Sequence, residues 1–224
     1  MTLYHGSEFI IERPILGKGK LHNDYGRGFY CTEHKSLAFE WAVDQNRNGY
    51  CNEYRIELDS MNVLRLNDSR YSILHWITVL LENRTFDVQS DFAREAVEYL
   101  KTNFQLPYME ADIIIGYRAD DSYFSYASDF INNSISLQTL SKAMKLRCLG
   151  EQVVLKSERA FSKIEFIGAE EAESAVWYNA KKERDTSARS RYREMRKESW
   201  TKENLYMMSL MNEEVGPEDE RLRL

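Results

Sequence analysis

The 224-residue chain has little of what most catalytic frameworks need: three prolines, three cysteines and four histidines. Cys31, Cys51 and Cys148 are an odd number at unrelated spacings. That argues against a disulfide framework and fits a reducing compartment. His5, His22, His34 and His75 form no i, i+4 pair and there is no Cys-x-x-Cys, so no metal centre is expected. The absence of Gly-x-Ser-x-Gly removes the nucleophile-elbow hydrolases. Gly17-Lys18-Gly19 and Gly26-Arg27-Gly28 are each half a phosphate fingerprint outside any βαβ unit, which removes the dinucleotide fold and the P-loop. The longest apolar-rich run, Ile73 to Leu81, is broken by His75 and Thr78 and is far short of a membrane span. MTLYHGSEFI has no basic start followed by an apolar stretch, so a cytoplasmic protein without membrane contact is expected.

What is present is 43% hydrophobic residues, 29% charged residues and fourteen tyrosines, enough for one real core. A net charge of −6 gives no whole-protein nucleic-acid footprint. The charge is uneven, however: Lys181 to Lys202 holds nine Lys/Arg against four Asp/Glu. Trp177, Tyr178 and Tyr192, interleaved in this region, permit stacking on bases.

LYHGS and FYCT read as strands, and Lys35 to Asn46 as a helix with Leu37, Ala38, Trp41 and Ala42 on one face. Strands follow at Asn52–Leu58 and Asn62–Leu66, then helices at Arg70–Glu82 and Gln89–Asn103. DIIIGYR reads as a short strand, with helices at Asp121–Asn132 and Ser136–Leu146. QVVLK and KIEFI are two further strands, and Ala169–Trp200 is a long polar helix. Strands at both ends with helices between predict an α+β fold. The expected division is a catalytic domain over 1–168 and a helical extension over 169–224.

Three motif blocks carry a resemblance: LYHGS, then DYGRGFYCTEHKSLAFEWA, then ADDSYFSYASDFINNSIS with LGEQVVLKSERAF. From Leu3 to Phe166 they resemble a bacterial family catalogued as domain of unknown function 3990. That family is similar to ADP-ribosyltransferases of the diphtheria-toxin and poly(ADP-ribose)-polymerase branch, with their His-Tyr-Glu triad. The resemblance implies an ADP-ribosyltransferase-like split β-sandwich with inserted helices and NAD as co-substrate. His5 then falls on the ribose-binding histidine, and Gly6 on the residue whose backbone holds the nicotinamide carboxamide. Ser7 completes that motif, Tyr30 falls on the tyrosine that stacks on the nicotinamide ring, and Trp41 takes the place of a second stacking aromatic. Lys18, Lys20 and Arg27, beside glycines, are candidate pyrophosphate contacts. Asp120 and Asp121 either cap a helix or support the acceptor. Asp24 reads as a turn residue.

The third triad position departs from the family. Gln152 directly precedes the apolar strand and Glu151 stands one place earlier. Strand alternation allows only one of them into the site, and alignment of the strand favours Gln152. An amide in place of a carboxylate costs about 1–1.5 kcal/mol of transition-state stabilisation, about tenfold in rate. Returning a glutamate to position 152 is thus expected to raise turnover. Glutamine cannot act as a general base, so single transfer or hydrolysis is expected rather than chain elongation. The resemblance implies a mono-ADP-ribosyltransferase toxin of a bacterial toxin–antitoxin pair, with a small antitoxin as partner and a protein or nucleic-acid acceptor. An NAD glycohydrolase and a non-catalytic NAD- or ADP-ribose-binding module are the competing readings.

Overall fold

The computed structural model describes residues 1–119, 121–145, 151–197, 201 and 203–223, with the side chains of 121–123 and 145 outside that description. It is an α+β protein built on one open sheet of seven strands, ordered β4-β5-β6-β2-β1-β3-β7. These are β1 (Thr2–Ser7), β2 (Phe29–Thr32), β3 (Gly49–Arg55), β4 (Val63–Arg65), β5 (Ile113–Tyr117), β6 (Glu151–Leu155) and β7 (Glu165–Ala172). Among the described residues only β4 and β5 pair in parallel. Eight helices among the described residues surround the sheet. They are α1 (Lys35–Ala42), α2 (Ile73–Asn83), α3 (Asp91–Asn103), α4 (Asp121–Ile131), α5 (Leu137–Lys145), α6 (Glu158–Lys163), α7 (Ser174–Met195) and α8 (Met207–Asn212).

The unbroken apolar runs IIIG and VVL are covered on both faces, as such runs require. Ile114 and Val154 face a large core with α2, α3, α4, α5 and α8. Ile113, Ile115, Val153 and Leu155 face the opposite core with Leu3, Phe29 and Tyr54. A third cluster holds α1 against β3 and β7 through Ala38, Phe39, Ala42 and Cys51.

Two expected boundaries move for physical reasons. The helix expected from Ala169 begins only at Ser174, because β7 continues through Ala172 along the whole of β3. The helix-favouring run AEEA is held extended by that ladder and by Glu170–Lys35 at 2.6 Å and Asn48–Glu171 at 2.9 Å. Helix α1 stops at Ala42 rather than Asn46, where Asp44 and Arg47 pair in a tight bridge. Helix α6, six residues capped by the Ser157 hydroxyl, is too short to show a period.

The expected division after residue 168 falls inside β7. The segment beyond it is not an appendage. Tyr192, Leu205, Met207, Leu210, Val215 and Leu222 belong to the same core as Trp76, Phe104 and Phe130. Arg184 of α7 reaches Glu40 of α1 at 2.7 Å, both side chains largely buried. Trp177 stacks on Phe39 (ring centroids 4.6 Å apart), and Tyr192 lies against Tyr126 and donates to Asp129. These two rings, whose place in the basic segment permits stacking on bases, are engaged in internal packing.

Candidate functional site

The two halves of the sheet meet at β1 and β2 through a single register pair, Tyr4 opposite Thr32. Continuing that register places Gly6 opposite Tyr30, where the strands have already parted. Met1 and Ile56 exchange both backbone hydrogen bonds, so β1 bonds β3 through its odd residues. Antiparallel alternation then turns the N–H and C=O of Gly6 towards the seam. Gly6 is required there for a second reason: an added Cβ would lie 2.0 Å from the Ala38 carbonyl oxygen of α1.

His5 bridges the parting strands, its Nδ1 lying 2.6 Å from the Tyr30 carbonyl oxygen. A carbonyl only accepts, so Nδ1 carries the proton and Nε2 keeps its lone pair. The ring packs on Phe29 at 4.4 Å. Burial pushes the His5 pKa below the ordinary 6.5, and that of His75 likewise. Well above pH 6.5 both folded and unfolded chains keep these rings neutral. Below it, the unfolded chain binds protons that the folded chain refuses, so stability falls. Asp24, whose carboxyl pKa is raised by burial, acts in the opposite sense as pH falls from that raised value to 3.8. Glu40 and Glu151, also raised by burial, act in the same sense as Asp24. The imidazole contribution is therefore read as a difference: between about pH 7.5 and about pH 5.5 the Tm of the wild type should fall relative to that of a His75→Gln variant. Differential scanning calorimetry checks this, and an identical pH dependence in the two proteins would show that the fold accepts the protonated imidazole.

Tyr30 uses its hydroxyl locally. It donates to the Gly26 carbonyl at 2.6 Å and accepts from the Tyr25 N–H at 3.0 Å. The hydroxyl thereby pins the turn before β2, and burial raises its pKa. The ring lines the cleft.

Gln152, 5% exposed, also faces the cleft. Its neighbours on that face are Thr32 of β2 and Val154, whereas Glu151 lies on the face of Val153 and Leu155 and does not line the cleft. The Gln152 amide meets the carboxylate of Asp24, whose local sequence reads as a turn. Its Nε2 donates to Asp24 Oδ2 at 2.7 Å. Asp24 also accepts from the Ala119 N–H at 2.8 Å and from Arg84 Nη1 at 3.0 Å.

The cleft encloses about 820 Å³, within the span of small-molecule sites (roughly 300–1,000 Å³). Seven Lys and Arg side chains line it against two carboxylates, so a protein of net charge −6 presents a cationic hollow. Lys18 and Lys20 line it. Arg84, Arg118 and Arg189 also line it and were not anticipated. Lys181, Asp185 and Arg189 stand at i, i+4 and i+8 on α7 and close one wall. Only that spacing in a basic helix signalled them. Trp41 lines the cleft with the Arg118 guanidinium 4.8 Å from its ring centroid, so one ring face is already covered.

Other expected residues lie elsewhere. The Ser7 hydroxyl donates to Phe9 O and accepts from Asn52, and is not part of the lining. Arg27 is exposed and is not part of the lining. Asp120 and the Asp121 side chain lie outside the described residues. Among the described residues no group of three His, Cys, Asp or Glu side chains is placed to hold a metal, and Cys31 and Cys51 are free and buried.

The fold and site therefore define an α+β protein with a cationic cleft opened at the seam of its sheet. Residues 1–166 match the family described as protein of unknown function DUF3990, and the chain belongs to that family. No curated protein and no solved structure matches it. Helix α7, which closes the cleft, lies beyond the matched residues.

Proposed function

We propose that the protein is a mono-ADP-ribosyltransferase with the split β-sandwich of that class, taking NAD as co-substrate. The observation that carries this reading is the seam itself. The outward-turned backbone of Gly6, the Tyr30 ring and the Gln152 amide converge on one cationic cleft. A peptide N–H and C=O at a strand edge suit a carboxamide, an aromatic face suits its ring, and Lys18, Lys20 and Arg84 suit a pyrophosphate.

In the reaction, the bond between ribose C1′ and the nicotinamide nitrogen breaks, and its electron pair leaves with nicotinamide. The acceptor nucleophile bonds C1′ and its proton passes to solvent. NAD and acceptor thus give ADP-ribosyl acceptor, nicotinamide and one proton. The transition state is oxocarbenium-like, so hydrogen-bond acceptors held against the ribose lower its energy.

Two features support a macromolecular acceptor. Phe9, Ile10, Ile15, Leu16 and Leu21 are exposed on the loop after β1, whose later residues line the cleft. An apolar set at a cleft mouth is a docking surface in kind. Lys181 and Arg189 of α7 add charge that suits an anionic target. No helix among the described residues is long and apolar enough to cross a membrane. By family analogy the protein acts as the toxin of a toxin–antitoxin pair in the cytoplasm, neutralised by a small partner protein.

Nicotinamide release from NAD, with and without cell lysate, tests this for the wild type and Tyr30→Ala. Lysate-dependent release is expected, with NAD binding weakened roughly fivefold or more in Tyr30→Ala through loss of stacking of about 1 kcal/mol. Release without lysate would make the protein a glycohydrolase. Unchanged NAD affinity in folded Tyr30→Ala, or NAD bound without turnover, would remove the transferase reading.

A further inference from the structure

We propose that Asp24 supplies the negative charge that Gln152 lacks, acting as a positioning residue through the Gln152 side chain; this rests on the transferase reading above. Asp24 is 5% exposed and takes hydrogen bonds from Arg84, from the Ala119 backbone and from Gln152. An ionised carboxylate accepts only, so Gln152 must present its NH₂ to Asp24. The amide orientation is then fixed, and Oε1 is left as the acceptor that faces the cleft. A carboxylate 2.7 Å from Nε2 draws the amide dipole towards the charge-separated form and enriches Oε1 in electron density. A neutral glutamine thereby becomes a stronger acceptor for a ribose hydroxyl, which is the task of the family glutamate.

The surroundings match this role better than that of a turn residue. Asp24 lies in the segment from Asn23 to Gly26 that Tyr30 pins, so residue, ring and amide are set by one local unit. Arg84 is itself held, its guanidinium 4.9 Å from the Phe124 ring centroid. Arg84 supports the ionised form of Asp24, and burial in a mostly covered site prevents water from screening the pair. This also reverses the expectation for glutamate at position 152. Two carboxylates 2.7 Å apart share a proton, so Gln152→Glu alone disables both.

An exchange of the two chemistries separates this role from simple structural support. Asp24→Asn and Gln152→Glu should each lower kcat for nicotinamide release by about tenfold or more, with KM for NAD changed by less than roughly threefold. The double variant D24N/Q152E again sets one amide against one carboxylate across the same gap. Because Asp24 Oδ2 also accepts from the Ala119 N–H, the amide introduced at position 24 meets that donor too, and kcat should recover in part, above either single variant. Full activity in Asp24→Asn, or a double variant no better than either single one, overturns the proposal. The pairing is also read without NAD, from the Gln152 side-chain amide signals in 15N NMR. They should move with the protonation of Asp24, and that movement should vanish in Asp24→Asn. If they move while the wild type releases no nicotinamide, the transferase reading falls and the oriented amide stands; if they do not respond to pH, the pairing itself is overturned.

Discussion

A chain ended after Ala172 should fail to unfold cooperatively, although it would contain every residue that matches the family. The missing part includes Leu205, Met207, Leu210, Val215 and Leu222, all in the main core. Each buried side chain of this kind contributes about 1.5–3 kcal/mol, so five supply on the order of 10 kcal/mol. Whole domains are stable by roughly 5–15 kcal/mol. The loss is thus comparable with the entire stability. Removing Arg184 adds to it by leaving Glu40, mostly buried, without its cation, a defect that costs about 3–5 kcal/mol. The expected result is a broad melt by circular dichroism and binding of a hydrophobic dye. A sharp transition near the wild-type Tm would show that the first 172 residues fold alone, and would return the C-terminal segment to the status of an extension.

The same contrast explains what was legible in the sequence. The centre of the sheet announced itself because IIIG and VVL are apolar on both faces. His5, Gly6 and Tyr30 stood out within short motifs; strand alternation admitted only one of Glu151 and Gln152, alignment of the strand with the family favoured Gln152, and Gln152 lines the cleft while Glu151 does not. Asp24 did not stand out, because its partners are Arg84, Ala119 and Gln152, which are 60, 95 and 128 residues away. A local reading of NDYG sees a turn, and a turn is present. Helix α7 misled in the opposite way. Its low amphipathy reads as a solvated face, yet polar residues are what a cationic cleft needs on its wall. The run AEEA shows the limit of propensity: a complete ladder with β3 outweighs a local preference for helix.

Gly6→Ala should be the most damaging single methyl group that can be added near the site. Its Cβ would lie 2.0 Å from the Ala38 carbonyl oxygen, 2.7 Å from the Ala42 nitrogen and 2.9 Å from Trp41 Cβ. The first two are backbone atoms of α1, so no side chain can swing aside, and the helix must move off the sheet. Gly49 meets the same helix end, with an added Cβ 2.1 Å from the Ala42 carbonyl oxygen, so α1 is seated on two bare backbones. Overpacking of this kind costs about 1–3 kcal/mol or more. At about 2–4 °C per kcal/mol for a chain of this size, Tm should fall by roughly 5–10 °C. Function should suffer further than stability, because α1 carries Trp41 and the seam edge of Gly6 is the proposed carboxamide contact. NAD affinity should therefore drop even at temperatures where the variant is fully folded. Gly168→Ala, in β7, is the control: nothing lies within 4 Å of its added Cβ. There alanine should leave Tm unchanged or raise it slightly, since it lowers the entropy of the unfolded chain by an amount equivalent to about 0.4–1 kcal/mol. Equal Tm values for the two variants would mean that α1 does not rest against β1 in solution, and the seam geometry on which the proposed site depends would have to be abandoned.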